Sequence, residues 1–285
     1  MVNFPIVDTH VHLWDTNSGR IGYPWLGDLP PLNRPFLVND FDDARGSIEV
    51  EKIVFLECDV AAEDAGEEAK WVAEIAQTDS RIQGIVAGGQ LENGEGVRPY
   101  LEELKANPLV KGVRRLIQNE ENIEFCIQPD FVKGVQILED YGFSFDICIY
   151  HPQVANTVKL VSQCPNVQFI LDHIGKPDIA GQVLEPWKSG IKQLSDFPNV
   201  RCKVSGMATE ADHENWTRDD LKPYIDHVIE CFSFDRVIYG GDWPVATLAT
   251  EYPRWVETLD WAVEGCSDEE RNKLFHDNAV EFYRL

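Results

Sequence analysis

Eight apolar, β-branched runs punctuate the chain: IVDTHVH (6–12), KIVFLECD (52–59), IQGIVAGGQ (82–90), VKGVRRLI (110–117), FSFDICIY (143–150), VQFILDHIG (167–175), VRCKVSG (200–206) and RVIYGGDWP (236–244). Each is nearly continuous in apolar residues and then turns abruptly polar, the pattern of a parallel strand buried on both faces. Amphipathic stretches separate them and predict helices over 64–77, 97–107, 129–142, 153–164, 185–197 and 219–232. In the first of these Ala69, Val72, Ala73 and Ala76 fall on one helical face. Alternating strands and helices predict an α/β fold with a parallel sheet, and eight repeats predict a closed (β/α)8 TIM barrel, with residues 1–285 as one domain. The competitor is an open doubly wound sheet. No Gly-x-Gly-x-x-Gly turn follows the first run, so its dinucleotide-binding form loses its main support. The Pro-rich YPWLGDLPPLNRPFL (23–37) reads as a long loop over the mouth of the barrel.

Charge narrows the class of partner. With 49 acidic against 25 basic residues the formal net charge is −24, a field that repels nucleic acid and anionic membrane. The acidic residues are dispersed, as on a solvated surface. No run of apolar residues is long enough to span a bilayer, and MVNFPIVDTHVH has no basic segment followed by a long apolar one, so no secretory signal is expected. Seven cysteines without a Cys-x-x-Cys pair read as reduced thiols of a cytoplasmic protein. The expected partner is a small molecule; a homo-oligomer is compatible with the sequence.

In such a barrel, chemistry sits where the strands end at their C-terminal face. The last residues of the runs are His10 and His12, Glu57 and Asp59, Gln90, Arg114 and Arg115, His151, Asp172 and His173, Lys203, and Asp242. Four of the seven histidines belong to this set. His10 and His12 alternate on a strand and so share a face. Neutral imidazole and carboxylate suit Zn²⁺, with Mn²⁺ an alternative, and a catalytic site keeps one position open. A mononuclear site would draw His10, His12, His151 and Asp242 from strands one, five and eight, with His173 contacting the water or a substrate oxygen. Glu57 has two readings, a further ligand or a buried acid paired with a cation such as Lys203. Asp172 precedes His173 on the strand and is expected on the opposite face, in a cap or salt bridge. His213 reads as solvated, His227 and His276 as structural, Cys58 and Cys148 as packing.

Taken together these motifs carry a resemblance. The His10 and His12 pair after strand one, histidines after strands five and six, and YGGDWP with Asp242 are similar to the amidohydrolase superfamily. VFLECDV, VKGVRRLIQ, LDHIGKPDI, VRCKVSGMATEAD and GGDWPVATLA resemble its sugar-lactone hydrolases, the L-fucono- and L-rhamnono-lactonase branch, over nearly the whole chain to HDNAVEFYRL. The resemblance implies a distorted barrel that opens an aldonolactone to the aldonic acid. Strand four ends in Arg114 and Arg115, and Lys111 lies too early to be a carbamylated bridge between two metals. One divalent ion is therefore expected, most naturally Zn²⁺, with metal-free hydrolysis, as in the pyrone-dicarboxylate lactonase of the same group, as the alternative. Asp242 would move the proton, His173 would donate to the carbonyl oxygen, and Arg114 and Lys176 would fix hydroxyls. Only one of the two adjacent arginines can face the pocket; the reading takes Arg114. Trp14, Trp25 and Trp243 would be apolar platforms for a sugar ring. Two rivals stand beside this reading: a metal-dependent decarboxylase of an aromatic acid, and a non-catalytic barrel that binds a sugar acid.

Overall fold

All eight runs form strands in the computed structural model, which describes residues 4–285. They are β1 (Ile6–Val11), β2 (Val50–Leu56), β3 (Ile82–Gly88), β4 (Val110–Leu116), β5 (Ser144–Cys148), β6 (Phe169–Leu171), β7 (Val200–Val204) and β8 (Val237–Tyr239). Each pairs in parallel with the next in chain order. Across the seam between β8 and β1 run a parallel bridge from Val11 to Trp243, the His12 N–H donating to the Trp243 carbonyl (2.8 Å), the Thr9 hydroxyl donating to the Tyr239 carbonyl (2.6 Å) and the Gly241 N–H donating to Asp8 Oδ1 (2.8 Å). The architecture is a (β/α)8 barrel.

The helices are α1 (Val38–Arg45), α2 (Ala65–Ile75), α3 (Arg98–Lys105), α4 (Pro129–Tyr141), α5 (Val154–Gln163), α6 (Trp187–Ser195), α7 (Arg218–Phe232) and α8 (Tyr252–Ala262). A short α9 (Asp268–Asn272), a π turn and α10 (Asn278–Tyr283) follow. The six predicted helices are α2 to α7. No helix among the described residues is long and apolar enough to cross a membrane.

Two apolar layers hold the fold. The larger lies between strands and helices, where Phe55, Ile85, Val113, Ile147 and Leu171 pack against the inner faces of the helices. The smaller closes the barrel from below: Val7, Val54, Leu56, Val86, Ile170 and Ile238 are capped by Ala279, Phe282 and Tyr283 of α10. Above this plug the interior turns polar. A register shift between Asp8 and Val11 changes the parity of β1, so Val7 joins the plug while His10 and His12 both reach the interior higher up.

The mouth is where the chain leaves regular geometry. Strands β6 and β8 stop after three residues each, and Asp59, His173, Ile174, Lys176 and Asp242 hold φ between 45° and 56°. Non-glycine residues in this region cost about 1–3 kcal/mol each and persist only where the surroundings over-determine them. The strain is concentrated at the predicted chemical end.

Candidate active site

The site is assembled across the seam. His10 and His12 rise from β1 with ring centroids 4.9 Å apart, and Asp242 descends from the turn after β8. Asp242 Oδ1 lies 3.6 Å from His12 Nε2, 3.7 Å from His10 Nε2 and 4.0 Å from His173 Nε2. Backbone economy makes this convergence possible: a Cβ on Gly240 would lie 2.8 Å from His10 Cβ, and one on Gly206 would lie 2.3 Å from His173 Nδ1.

The other ring nitrogens fix which atom faces inward. His12 Nδ1 is 2.9 Å from the Leu56 carbonyl, which only accepts, so Nδ1 carries the proton and Nε2 presents its lone pair to the site. Asp172 Oδ1 lies 3.6 Å from His10 Nδ1, a carboxylate placed behind an imidazole as in metal sites. Ser205 Oγ is 2.9 Å from His173 Nδ1. Burial holds both His10 and His173 well below the usual imidazole range; Lys203 adds to the effect on His10, and His10 to that on His173. Both rings are neutral, the state a metal ligand requires.

Beneath them runs a buried ionic layer. Lys203 Nζ lies 2.8 Å from Asp172 Oδ1, 3.0 Å from Asp146 Oδ2 and 3.4 Å from His10 Nδ1. Tyr283 donates to Asp146 Oδ2 from below (2.7 Å). Arg114 donates through Nε to Glu57 Oε1 (2.6 Å) and through Nη1 to Asp172 Oδ2 (3.2 Å), with Nη1 also 3.3 Å from His10 Nε2. Two expectations change here. Lys203 is paired with Asp146 and Asp172, and Glu57 with Arg114. Asp172 and His173, though adjacent, both reach the interior, because the left-handed backbone at His173 (φ 53°) ends strand alternation.

These positions satisfy a simple test of metal fit. Zn²⁺ with bonds of about 2.0–2.1 Å in a tetrahedron spaces its ligand atoms roughly 3.3–3.5 Å apart. The Nε2 to Oδ1 separations of 3.6 and 3.7 Å come close to that without rearrangement. Two sets among the described residues bring three donor atoms within 4.8 Å: His10, His12 and Asp242, and His10, Asp172 and His173. The first has an inward-facing lone pair and no competing cation on its carboxylate. In the second, Asp172 is committed to Lys203 and Arg114.

His151 belongs to neither set. β5 ends at Cys148, and His151 opens a 3-10 turn (His151–Gln153) away from the cavity, so Cys148 and Tyr150 line the space expected for it. Glu57 is likewise no ligand: one oxygen accepts from Arg114 and the other from the Asp59 N–H (2.7 Å). Trp14 and Trp243 are not platforms. Trp14 is buried against Tyr23, Trp25 and Phe36, with its indole N–H on the Arg34 carbonyl (2.7 Å), and Trp243 packs on Phe36 and Phe41. Apolar packing under the 23–37 loop outcompetes exposure for both. Trp25 does line the cavity.

A cavity of about 430 Å³ opens above His12, His173 and Asp242. Arg114, Lys176, Gln118, Tyr150, Glu210 and Trp25 are among its walls. Lys176 donates to Gln118 Oε1 (2.6 Å), sits 3.8 Å from Glu210 Oε1 and lies over the Tyr150 ring. Arg115 points away, onto Glu92 and Glu120. His213 lines the rim, exposed, with Nε2 2.9 Å from the Thr209 carbonyl. The cavity thiol of Cys148 is pushed up to about 11 by burial. Gln118, Tyr150, Ser205 and Glu210 escaped the sequence reading: they lie past the strand ends in turns, where neither periodicity nor a charged pair marks them.

Comparison with known proteins bears on the family and the fold. The chain matches the Amidohydrolase family over residues 7–285. It is 29% identical over 304 residues to the uncharacterized protein y4mH of Sinorhizobium fredii, covering all of both chains. It is 28% identical over 294 residues to an L-fucono-1,5-lactonase of Burkholderia multivorans, covering 98% of this chain and 96% of that one. It superposes with a TM-score of 0.88 and 26% identity on an amidohydrolase from Burkholderia multivorans solved with bound zinc, covering 99% of this chain and 100% of the other. A full-length match, a common barrel and a histidine and aspartate cluster at its mouth converge on one statement: this chain belongs to the amidohydrolase family.

Proposed function

We propose that this protein is a hydrolase that opens a sugar lactone, an aldonolactone of the L-fucono or L-rhamnono type, to the aldonic acid. The observation that carries the reading is the meeting of Asp242 with the Nε2 atoms of His10, His12 and His173 on the floor of a polar cavity. The name and near-complete coverage of the Burkholderia lactonase support the substrate class.

Ester hydrolysis needs an activated water, help for the developing oxyanion, and a proton for the leaving oxygen. His10, His12 and one oxygen of Asp242 would hold a divalent cation, Zn²⁺ by the chemistry of the donors, whose contribution is to acidify water and polarise a carbonyl. Asp242 takes the water proton as the new C–O bond forms, then delivers it to the ring oxygen as the ring C–O bond breaks. With Ser205 donating to its Nδ1, His173 keeps a proton on Nε2 and offers it to the carbonyl oxygen as charge builds there, a contribution of about 3–4 kcal/mol for one such donor. Lys176 and Gln118 hold hydroxyls, and Tyr150 and Trp25 present ring surface. Arg114, spent on Glu57 and Asp172, braces His10 and forms wall.

A pH-indicator assay on a panel of L- and D-aldonolactones tests the reading, run as purified, after chelation, and after return of Zn²⁺ or Mn²⁺. Acid release that chelation abolishes and metal restores is the expected result. Release that survives full metal removal keeps the lactonase and turns His10 and His12 into hydrogen-bonding groups. No acid from any lactone, with CO₂ released from an aromatic acid, overturns the reading in favour of a decarboxylase.

A further inference from the structure

A second cavity, about 460 Å³, opens beside the first, between the C-terminal ends of β2, β3 and β4. The two share Asp59, Arg114 and Leu116 as walls, so the annex borders the catalytic cavity directly. Each is roomier than one sugar ring requires. The mechanism above uses only the first.

The chemistry of the annex is specific. Its two guanidiniums are spent: Arg114 on Glu57 (2.6 Å) and Arg115 on Glu92 (2.9 Å). What remains is Asp59, an exposed carboxylate on the rim with no donor among the described residues, while its backbone N–H is tied to Glu57 Oε2. Also lining the annex, the exposed Asn93 amide donates to Gln90 Oε1 (3.3 Å), so the Gln90 NH₂ and the Asn93 oxygen face water and are open to a ligand. Tyr100 spends its hydroxyl on the Gly88 carbonyl (2.6 Å) and keeps its ring as surface. A carboxylate acceptor, two amides of both polarities and an aromatic ring suit a hydroxyl-rich, uncharged ring. An anion would meet Asp59 without a free cation, and a purely apolar group would strand the amides and the carboxylate.

We propose that the annex is a second sugar subsite, and that the preferred substrate is a lactone carrying a further glycosyl unit, with its lactone ring over Asp242 and its second ring between Asp59, Asn93 and Tyr100. This rests on the lactonase reading for the reaction, and on the annex alone for the second ring.

The test compares D-glucono-1,5-lactone with the δ-lactones of cellobionic, lactobionic and maltobionic acids, which add one glycosyl unit to that same ring, on the wild-type protein and on Gly96→Trp, with L-hexonolactones as the control for the reaction itself. Gly96 lines the annex, and a Cβ there meets only Asn93 Cβ at 3.7 Å, an ordinary contact, so a side chain is tolerated at that position. Wild type should favour at least one two-ring lactone by about tenfold in kcat/KM, mostly through KM. Gly96→Trp should erase that preference while leaving the hexonolactones within about twofold, and Asn93→Ala should reduce it in part. Equal rates on one-ring and two-ring lactones in wild type, or a preference that survives Gly96→Trp, overturns the proposal. Should no lactone turn over, titration with cellobiose, lactose and maltose still decides it: binding lost in Gly96→Trp supports the subsite, and no binding to wild type rejects it.

Discussion

The two ends of this barrel are built on opposite rules. At the lower end the side chains are apolar and mutually satisfied: Val7, Val54, Leu56, Val86, Ile170 and Ile238 meet Ala279 and Phe282 of α10, and the one polar group among them, Tyr283, is bonded to Asp146. At the mouth five non-glycine residues sit at positive φ and three imidazoles crowd one carboxylate. The lower end stores stability and the mouth spends some of it on chemistry. Buried ion pairs from Lys203 and Arg114 lie between, anchored below by Tyr283 and touching His10 above.

If that division is real, substitutions at the two ends should separate activity from stability. Asp242→Asn removes the proton carrier and preserves shape; kcat on the best lactone should fall about a thousandfold, with the thermal midpoint nearly unchanged. Activity above about a tenth of wild type would remove Asp242 from its role. Phe282→Ala should do the reverse, costing about 3 kcal/mol in urea denaturation while kcat/KM of the folded fraction stays within about twofold. A smaller effect is expected for Lys176→Met, which should raise KM about tenfold with little change in kcat, since its ammonium bonds ground state and transition state alike. The gentlest probe is pH. Burial raises Asp146 from 3.8 to about 6, against the pull of Lys203. The folded state therefore holds this proton where the unfolded chain has lost it, so its contribution is full below about pH 4 and declines as pH rises towards 6, by at most about 1.4 kcal/mol per unit. Asp8, likewise raised by burial to about 6, contributes over the same window, so Asp146→Asn should reduce the slope of denaturation curves taken between pH 4 and 7 by about half.

The same division explains what could be read from the sequence. The strands were legible because a parallel strand covered on both sides is mostly apolar: β6 and β8 are wholly so, and each of the others keeps enough apolar, largely β-branched positions to stand out from the helices around it. Helices α1 and α8 fell outside the predicted set for different reasons. α1 buries little besides Phe41 and has no apolar stripe, whereas α8 carries one in Tyr252, Trp255, Val256 and Leu259. At the site, His10, His12, His173 and Asp242 could be found as polar residues closing apolar runs. His151 was misplaced by the same rule, because β5 stops three residues short of it and a residue in a turn no longer inherits the direction of the strand. Asp172 was misdirected for a related cause: alternation holds only while the backbone stays extended. The pairing of Lys203 with Asp146 and Asp172 depends on strands brought side by side from distant parts of the chain, which one strand read alone does not specify.

The seam gives the site a mechanical meaning as well. Thr9 and Tyr239, bonded across it, are 230 residues apart in the chain, so closing the cylinder joins the two most distant strands of the sequence. His10 and His12 stand on one lip and Asp242 on the other. An ion gripping all three would therefore act as a clasp. Stripping it away should loosen the junction of β1 with β8 before any other, visible as hydrogen exchange quickening first at the His12 and Gly241 amides, which donate across it to the Trp243 carbonyl and to Asp8 Oδ1.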